Sequence, residues 1–412
     1  MTSLTSVELI FILGAMMLFG HIVGALFRKI NLPDLVGIIF AGVIIKFVLN
    51  TILKMEDFTH QLISSFGIVI SIALGLEAFS IGSEMINEED KPKLKFGKLV
   101  ALQAAFVIVF TLLGLLIMKD VKFAILIGAI TAATAPIALI ELFDSYDKSK
   151  RITRGLSRMI SFDNIIAIAY FFIVFSITNQ PGNITLIDTL DALLGLVITI
   201  IIGSLVGFIL YLVNRHIISK LNSSQKRDNA YIFFVISIVI MLITGYMLLG
   251  ETQLFEKYYI SQYVVTFVAG TVFGNLIPRE DNHHQVEVIH NFIPPLLTVF
   301  FVIVGMELDF SSLFGRPGIF LIVYIVAMII LKTIFSYIEF KKYGKQISLS
   351  SFTPFAVITK SSFEIYLAHL AMISLDEGNV FIIILISILL FETLEPLLIT
   401  NSKINKMHLT IK

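Results

Sequence analysis

The string Ser161-Phe162-Asp163-Asn164 is the part of this 412-residue chain best suited to chemistry. It falls inside an apolar stretch over 156–178, with Asp163 about seven residues, or roughly 10 Å, past its start. An ionisable group at that depth in a bilayer costs about 2.5–3.5 kcal/mol on insertion scales, so it marks a functional position by default. A buried carboxylate can hold a proton or a bare cation, and the Ser161 hydroxyl and Asn164 amide add oxygens of the kind hard cations accept. A second polar string, Thr131-Ala132-Ala133-Thr134-Ala135-Pro136, interrupts the stretch 121–143. Its proline removes a backbone donor, and freed carbonyls there must be met by threonine hydroxyls or by a ligand. A third string, Thr359-Lys360-Ser361-Ser362-Phe363-Glu364, sits just as centrally in 348–374. Lys332 stands in the middle of 318–340 with no charge within six residues on either side. Glu392 and Glu395 approach a membrane interface, Glu84 and Glu307 lie near helix ends where long side chains reach water, and His369 reads as a packed histidine.

These residues need apolar elements to position them, and the composition supplies little else. Apolar residues make up 57% of the chain and charged residues 15%, against roughly 45–50% and about 25% in ordinary soluble domains. Mean hydropathy is +0.93, which excludes a soluble enzyme. There is no cysteine, so disulfide frameworks and thiolate metal sites are excluded, and 30 basic residues balance 30 acidic ones, leaving no basic field for nucleic acid. No Gly-rich nucleotide loop of Walker type is present, and no cofactor is expected. Thirteen stretches approach the roughly 20 apolar residues that cross a bilayer. They run over 8–27, 32–50, 62–86, 97–118, 121–143, 156–178, 185–214, 229–250, 261–277, 292–310, 318–340, 348–374 and 378–399. The expected fold class is therefore an all-α polytopic membrane protein with about thirteen transmembrane helices.

With the N-terminus outside, 22 of the 30 basic residues fall in inside loops or the stretch ends beside them and 6 in outside ones, while Lys332 and Lys360 lie deep within stretches. That asymmetry obeys the positive-inside rule and predicts a cytoplasmic C-terminus. Heavy use of Ile, Lys and Asn suggests a bacterial cytoplasmic membrane. Two short echoes suggest an internal repeat: Phe40-Ala41-Gly42 with Val268-Ala269-Gly270, and Ile81-Gly82-Ser83-Glu84 with Val304-Gly305-Met306-Glu307. Each pair is seven helices apart, and an odd number inverts the direction of crossing, as in the inverted repeats of secondary transporters. The expected organisation is a first repeat over 1–178, a linking helix and loop over 179–225, a second repeat over 226–400 and a short tail over 401–412. The broken stretches 121–143 and 348–374 occupy matching places in the two repeats, so opposed half-helix ends would meet at mid-membrane.

Across most of its length the chain resembles the monovalent cation:proton antiporters, in particular their bacterial Nap/Kef-like branch. Leu32-Pro33-Asp34-Leu35-Val36-Gly37 through Ala41-Gly42 resembles the family's opening helix. Phe300-Phe301 through Gly305-Met306-Glu307-Leu308-Asp309 is similar to its "FFxxxGxxLD" helix, and Thr131 to Pro136 to its unwound crossing helix. The resemblance implies a homodimer with a dimer-interface domain and a mobile core domain, substrates Na+ or K+ and H+, and no enzymatic activity. It also implies that Asp163 is the shared ion-binding aspartate and that Lys332 is the lysine many members carry. Phe162 departs from the pattern, since electrogenic members place a second acid there, and Lys332 is left to pair with Asp163 itself. The family's "PRGEF" string is here Thr359-Lys360-Ser361-Ser362-Phe363, which puts Lys360 at the arginine and leaves Glu364 outside the pattern.

One carboxylate serving two ligands in turn gives a mechanism. Burial favours the neutral, protonated acid, whereas a dehydrated cation or Lys332 favours the carboxylate, so proton and cation compete at Asp163. Oxygens of Thr131, Thr134, Ser161 and Asn164 would replace the cation's water. A single acid implies one-for-one, electroneutral exchange. Two alternatives remain open at this level: a sodium-coupled solute symporter with similar crossed helices, and a channel or sensor on the same fold, which Phe162 favours.

Overall fold

The computed structural model describes residues 5–84, 96–132, 186–221, 223–250, 260–278, 291–340 and 362–401, parts of 167–178 and 284–289, and the single positions 252 and 258. Among the described residues regular structure is entirely helical. In their described parts the apolar stretches are mainly helical, with breaks at Phe66, Ala132 and Leu308. Among the described residues four helices are long and apolar enough to cross a membrane, and a fifth span arises if one bent pair is counted together. Large apolar side chains at full exposure, such as Val7 at 78%, Leu248 at 82% and Met241 at 71%, would be untenable in water but suit a lipid-facing surface. The chain is a multi-pass membrane protein built of helices.

Contacts divide the chain into two compact units, and each draws on both halves of the sequence. The first comprises 1–89 and 182–308. It contains α1 (Ser6–Lys29), α2 (Asp34–Phe47), α3 (Glu56–Ser65), α4 (Gly67–Glu84), α7 (Leu186–His216), α8 (Ser224–Leu249), α9 (Gln262–Leu276) and α10 (Pro294–Glu307). α1 opens with a capping box in which Thr5 and Glu8 bond reciprocally, and closes with Arg28 and Lys29 at its negative end before Asn31 takes φ 60°. The stretch 62–86, expected as one helix, is instead α3 and α4, bent by 44° at Phe66. Ser65 donates to the Gln61 carbonyl one turn back, a local bond that competes with continuation of the helix.

The first unit is assembled on close helix crossings. α2 meets α10 where Gly42 faces Gly305: a Cβ on Gly42 would lie 1.9 Å from the Val302 carbonyl oxygen, and one on Gly305 2.0 Å from that of Ile39. α4 meets α9 in the same manner, Gly82 against the Phe267 carbonyl and Gly270 against that of Phe79, each at 2.1 Å. Backbones approach this closely only where side chains are absent. The four glycines are those of the two sequence echoes, and they meet as two crossings of one construction. Beyond the crossings, Leu76, Phe79, Leu210, Tyr231, Val239 and Phe273 form a buried core shared by α4, α7, α8 and α9. The Lys46 ammonium at the end of α2 donates to the Leu308 carbonyl at 2.7 Å, closing the carbonyl end of α10 with a positive charge.

The second unit comprises 90–181 and 309–412. It holds α5 (Phe96–Met118), α6 (Val121–Thr131), α11 (Arg316–Phe340), α12 (Ser362–Leu375) and α13 (Gly378–Asn401). α6 begins at Asp120, whose carboxylate accepts from the Phe123 N–H, and packs back along α5 through Gly114 and Gly128, where a Cβ on Gly128 would stand 2.8 Å from the Val107 carbonyl oxygen. α11 docks by aromatic edges, Phe320 on Phe123 and Tyr324 on Phe110, with centroids 5.0 and 5.1 Å apart. α12 and α13 pack on each other and on α6. They are joined by a turn in which Asp376 takes φ 59°.

That turn carries a proton-sensitive group. Partial burial first, and then the negative charges of Asp120 and Asp376, push the Glu377 carboxyl up from an ordinary 4.5 to about 7, opposed by Lys122. Between those two values the folded chain holds the proton more tightly than the unfolded one. The stability from this group is therefore fully present below pH 4.5 and lost as pH rises through about 7. Glu377→Gln should raise the melting temperature at pH 8 by about 2 °C and leave it unchanged at pH 4. Unfolding scans of both proteins across that range check this, and an equal difference at both pH values would contradict it.

Candidate functional site

The sequence directs attention to the end of α6. The helix stops at Thr131 after 11 residues, a rise of about 16 Å and so roughly half of a bilayer core. Ala132 forms a turn whose N–H reaches back to the Ala129 and Ile130 carbonyls. The end of α6, with the negative pole of its dipole, is therefore placed within the apolar interior of the unit.

Thr131 is fully buried, and its hydroxyl is held from two sides. It donates to the Ile127 carbonyl one turn back, which leaves its oxygen to accept from the Tyr324 hydroxyl of α11 at 2.9 Å. Tyr324 is itself fully buried, fixed between Phe110 and Phe320. The Thr131 oxygen retains one lone pair for a further partner.

A second contact brings in the stretch that contains Asp163. Ala132, directly after Thr131, is buried in a cluster with Val107 of α5 and Ala167. Ala167 follows Asp163 by four residues in the sequence. Phe171 and Phe172, farther along the same stretch, are also buried. Asp163, Thr134, Ser161, Asn164 and Lys360 lie outside the described residues, as does the side chain of Lys332. The backbone position of Lys332 on α11 continues the i, i+4 row of Phe320, Tyr324 and Met328, all three fully buried. Glu364, on the first turn of α12, is fully buried. His369, one turn farther, packs its ring against Phe381 at 5.7 Å.

One unit thus collects the end of α6, the stretch of Asp163, the row leading to Lys332 and buried Glu364. Sequence reading did not single out Tyr324. Its signal is faint, a tyrosine in the apolar run Leu321-Ile322-Val323-Tyr324-Ile325-Val326, where a buried phenol must find a hydrogen-bond partner.

The structure is similar to that of "the sodium proton antiporter MjNhaP1 from Methanocaldococcus jannaschii at pH 8", with TM-score 0.64 and 18% identity over 95% of this chain and 100% of that one. A second structure of that antiporter, from an electron-microscopy map, gives TM-score 0.63 and 17% identity over 98% and 100% of the two chains. At such identity these likenesses establish the fold. No curated protein sequence matches. The family model described as "Sodium/hydrogen exchanger, transmembrane" matches residues 15–400. With nearly all of its length covered by that match, the chain belongs to the sodium/hydrogen exchanger family, within the monovalent cation:proton antiporter superfamily.

Proposed function

We propose that this protein exchanges Na+ or K+ for H+ one for one, with Asp163 holding the two ions alternately. Cation:proton antiport follows from family membership; the site, the stoichiometry and the cation are our reading. The observation that supports it is the buried contact of Ala132, next to the end of α6, with Ala167, four residues after Asp163 in the sequence. Carbonyls at a helix C-terminus, with oxygens of Thr131, Thr134, Ser161 and Asn164, replace water around a hard cation. Protonation of Asp163 neutralises the site when the cation leaves. With one acid exchanging one positive charge for another, no net charge moves. Lys332 neutralises Asp163 in the empty carrier, and Lys360 supports the site from the stretch before α12. The second unit is the carrier and the first its dimerising partner domain. The two glycine crossings, built alike from echoed motifs, support an inverted repeat over 1–178 and 226–400. The positive-inside count supports an external N-terminus in a bacterial inner membrane.

Tyr324 holds the Thr131 oxygen in place, so Tyr324→Phe should weaken apparent cation affinity about three- to tenfold, in line with the roughly 0.5–1.5 kcal/mol of one hydrogen bond. Maximal rate should change little. Titration of transport rate against cation concentration checks this, and an unchanged half-saturation with a reduced maximal rate would argue against a positioning role.

The decisive experiment is proton movement in proteoliposomes dosed separately with Na+, Li+ and K+, with and without an ionophore that clamps the membrane potential. Alkalinisation driven by one of these cations and insensitive to the clamp is expected. Proton movement that responds strongly to the clamp would defeat the one-for-one cycle, and no response to any cation from pH 6 to 9 would defeat the exchange reading.

A further inference from the structure

In the first unit, at the junction of α7 and α8, lies a cavity of about 100 Å³ whose lining includes Asn214, Arg227, Asp228, Tyr231, His284 and Gln285. Two polar side chains of its lining are under-bonded. Tyr231 is 1% exposed, its ring stacks on Phe273 at 5.6 Å and 20°, and its hydroxyl is buried without a hydrogen-bond partner. The Gln285 amide nitrogen donates to the Asn214 side-chain oxygen at 3.2 Å, which leaves the Gln285 oxygen buried without a donor. A buried polar group left without a partner is destabilising unless something fills the space. The cavity has room for about three waters, and thus for a compact polar ligand.

The rim fixes the sign of that ligand. Asp228 accepts from or ion-pairs with His284 Nε2 at 2.8 Å, so its carboxylate is engaged at the wall. Arg227 precedes it on the first turn of α8. Among the described lining residues Arg227 is the one fixed cation and Asp228, already engaged by His284, the one acid. The Tyr231 hydroxyl, the Asn214 amide N–H and the Arg227 guanidinium are donors suited to an oxyanion. The Gln285 oxygen asks in addition for a hydroxyl on the ligand.

We propose that this cavity binds a phosphate group with a hydroxyl on or beside it, either free hydrogenphosphate or the glycerol-phosphate headgroup of an anionic lipid. The proposal is independent of the ion-exchange reading and concerns the other unit of the chain.

Thermal unfolding of the detergent-solubilised full-length protein, followed by loss of its monodisperse chromatographic peak, tests this. One arm adds sodium phosphate against sodium chloride at equal ionic strength; the other adds phosphatidylglycerol against phosphatidylcholine. A rise in melting temperature of about 3 °C over the matched control is expected for at least one probe. A rise with inorganic phosphate assigns a free ligand, and a rise with phosphatidylglycerol alone assigns a lipid headgroup. Tyr231→Phe should fold at least as well, since it removes an unsatisfied buried hydroxyl, and should lose the rise; Arg227→Gln, at an exposed position, should reduce it. No rise with either probe, or a full rise retained in Tyr231→Phe, would overturn the proposal.

Discussion

Asp163→Asn is expected to abolish cation-driven proton movement. Asparagine keeps the size of the side chain and one acceptor oxygen, but it neither takes up a proton nor carries the charge that holds a dehydrated cation. Removing one partner of a buried charged contact costs about 3–5 kcal/mol, or roughly a hundredfold to several thousandfold at about 1.4 kcal/mol per tenfold. The exchange rate in proteoliposomes should fall by at least that factor for each active cation. Folding should survive, with a melting temperature only a few degrees below the parent's, because asparagine keeps the shape of the side chain while Lys332 loses its partner in the empty carrier. That combination separates loss of the carrier group from loss of the protein. Exchange at more than a tenth of the parent rate would move the proton to another acid, with buried Glu364 the first to test. If the parent itself is silent and Asp163→Asn matches it, Phe162 has converted the fold to a channel or sensor.

Gly42→Ala should destabilise the first unit severely. The added methyl would stand 1.9 Å from the Val302 carbonyl oxygen and 2.9 Å from the Gly305 Cα. Both obstacles are backbone, so no side chain can rotate away and α2 must separate from α10. Overpacking of this kind costs about 1–3 kcal/mol, and a rigid obstacle places it at the upper end, a fall of about 5–10 °C in melting temperature. Gly305→Ala should behave alike, with its methyl 2.0 Å from the Ile39 carbonyl oxygen. The double variant should lose less than the sum, since helices already separated admit the second methyl at lower cost. Gly14→Ala is the control: nothing lies within 4 Å of its Cβ, and alanine is the better helix former. Equal melting temperatures for Gly42→Ala and Gly14→Ala would contradict the crossing as described.

Helix placement was largely legible in the sequence because a span must be about 20 residues long and must end in charge or in Gly and Pro punctuation. α7, α9 and α11 accordingly begin and end within two residues of the expected bounds. The bend at Phe66 was not legible, since the apolar run continues through it and the serines that mark it bond only locally. The end of α6 at Thr131 was legible from the cluster of threonines before Pro136, whose polarity is otherwise unexplained in an apolar stretch. Tyr324 was hidden because its role depends on a partner 193 residues away. The polar cavity was hidden for a similar reason: Asn214, Tyr231 and Gln285 are unremarkable until folding sets them around one space. The glycine echoes were visible as strings, but only the structure reveals that they meet in matched pairs.

Those pairings also bear on how the protein is made. Gly42 waits for Gly305, about 260 residues later in synthesis, and Gly82 waits for Gly270. At roughly 5–20 residues per second, α2 stands in the membrane without its partner for about 13–50 s. The backbone groove that makes the crossing tight is exposed for that whole interval, open to any other helix that offers a small residue. Neither unit can close from one continuous half of the chain, so a ribosome stalled after α7 leaves a product with no finished unit at all. During that interval α1 already packs on α2, and what α2 and α4 lack are α10 and α9.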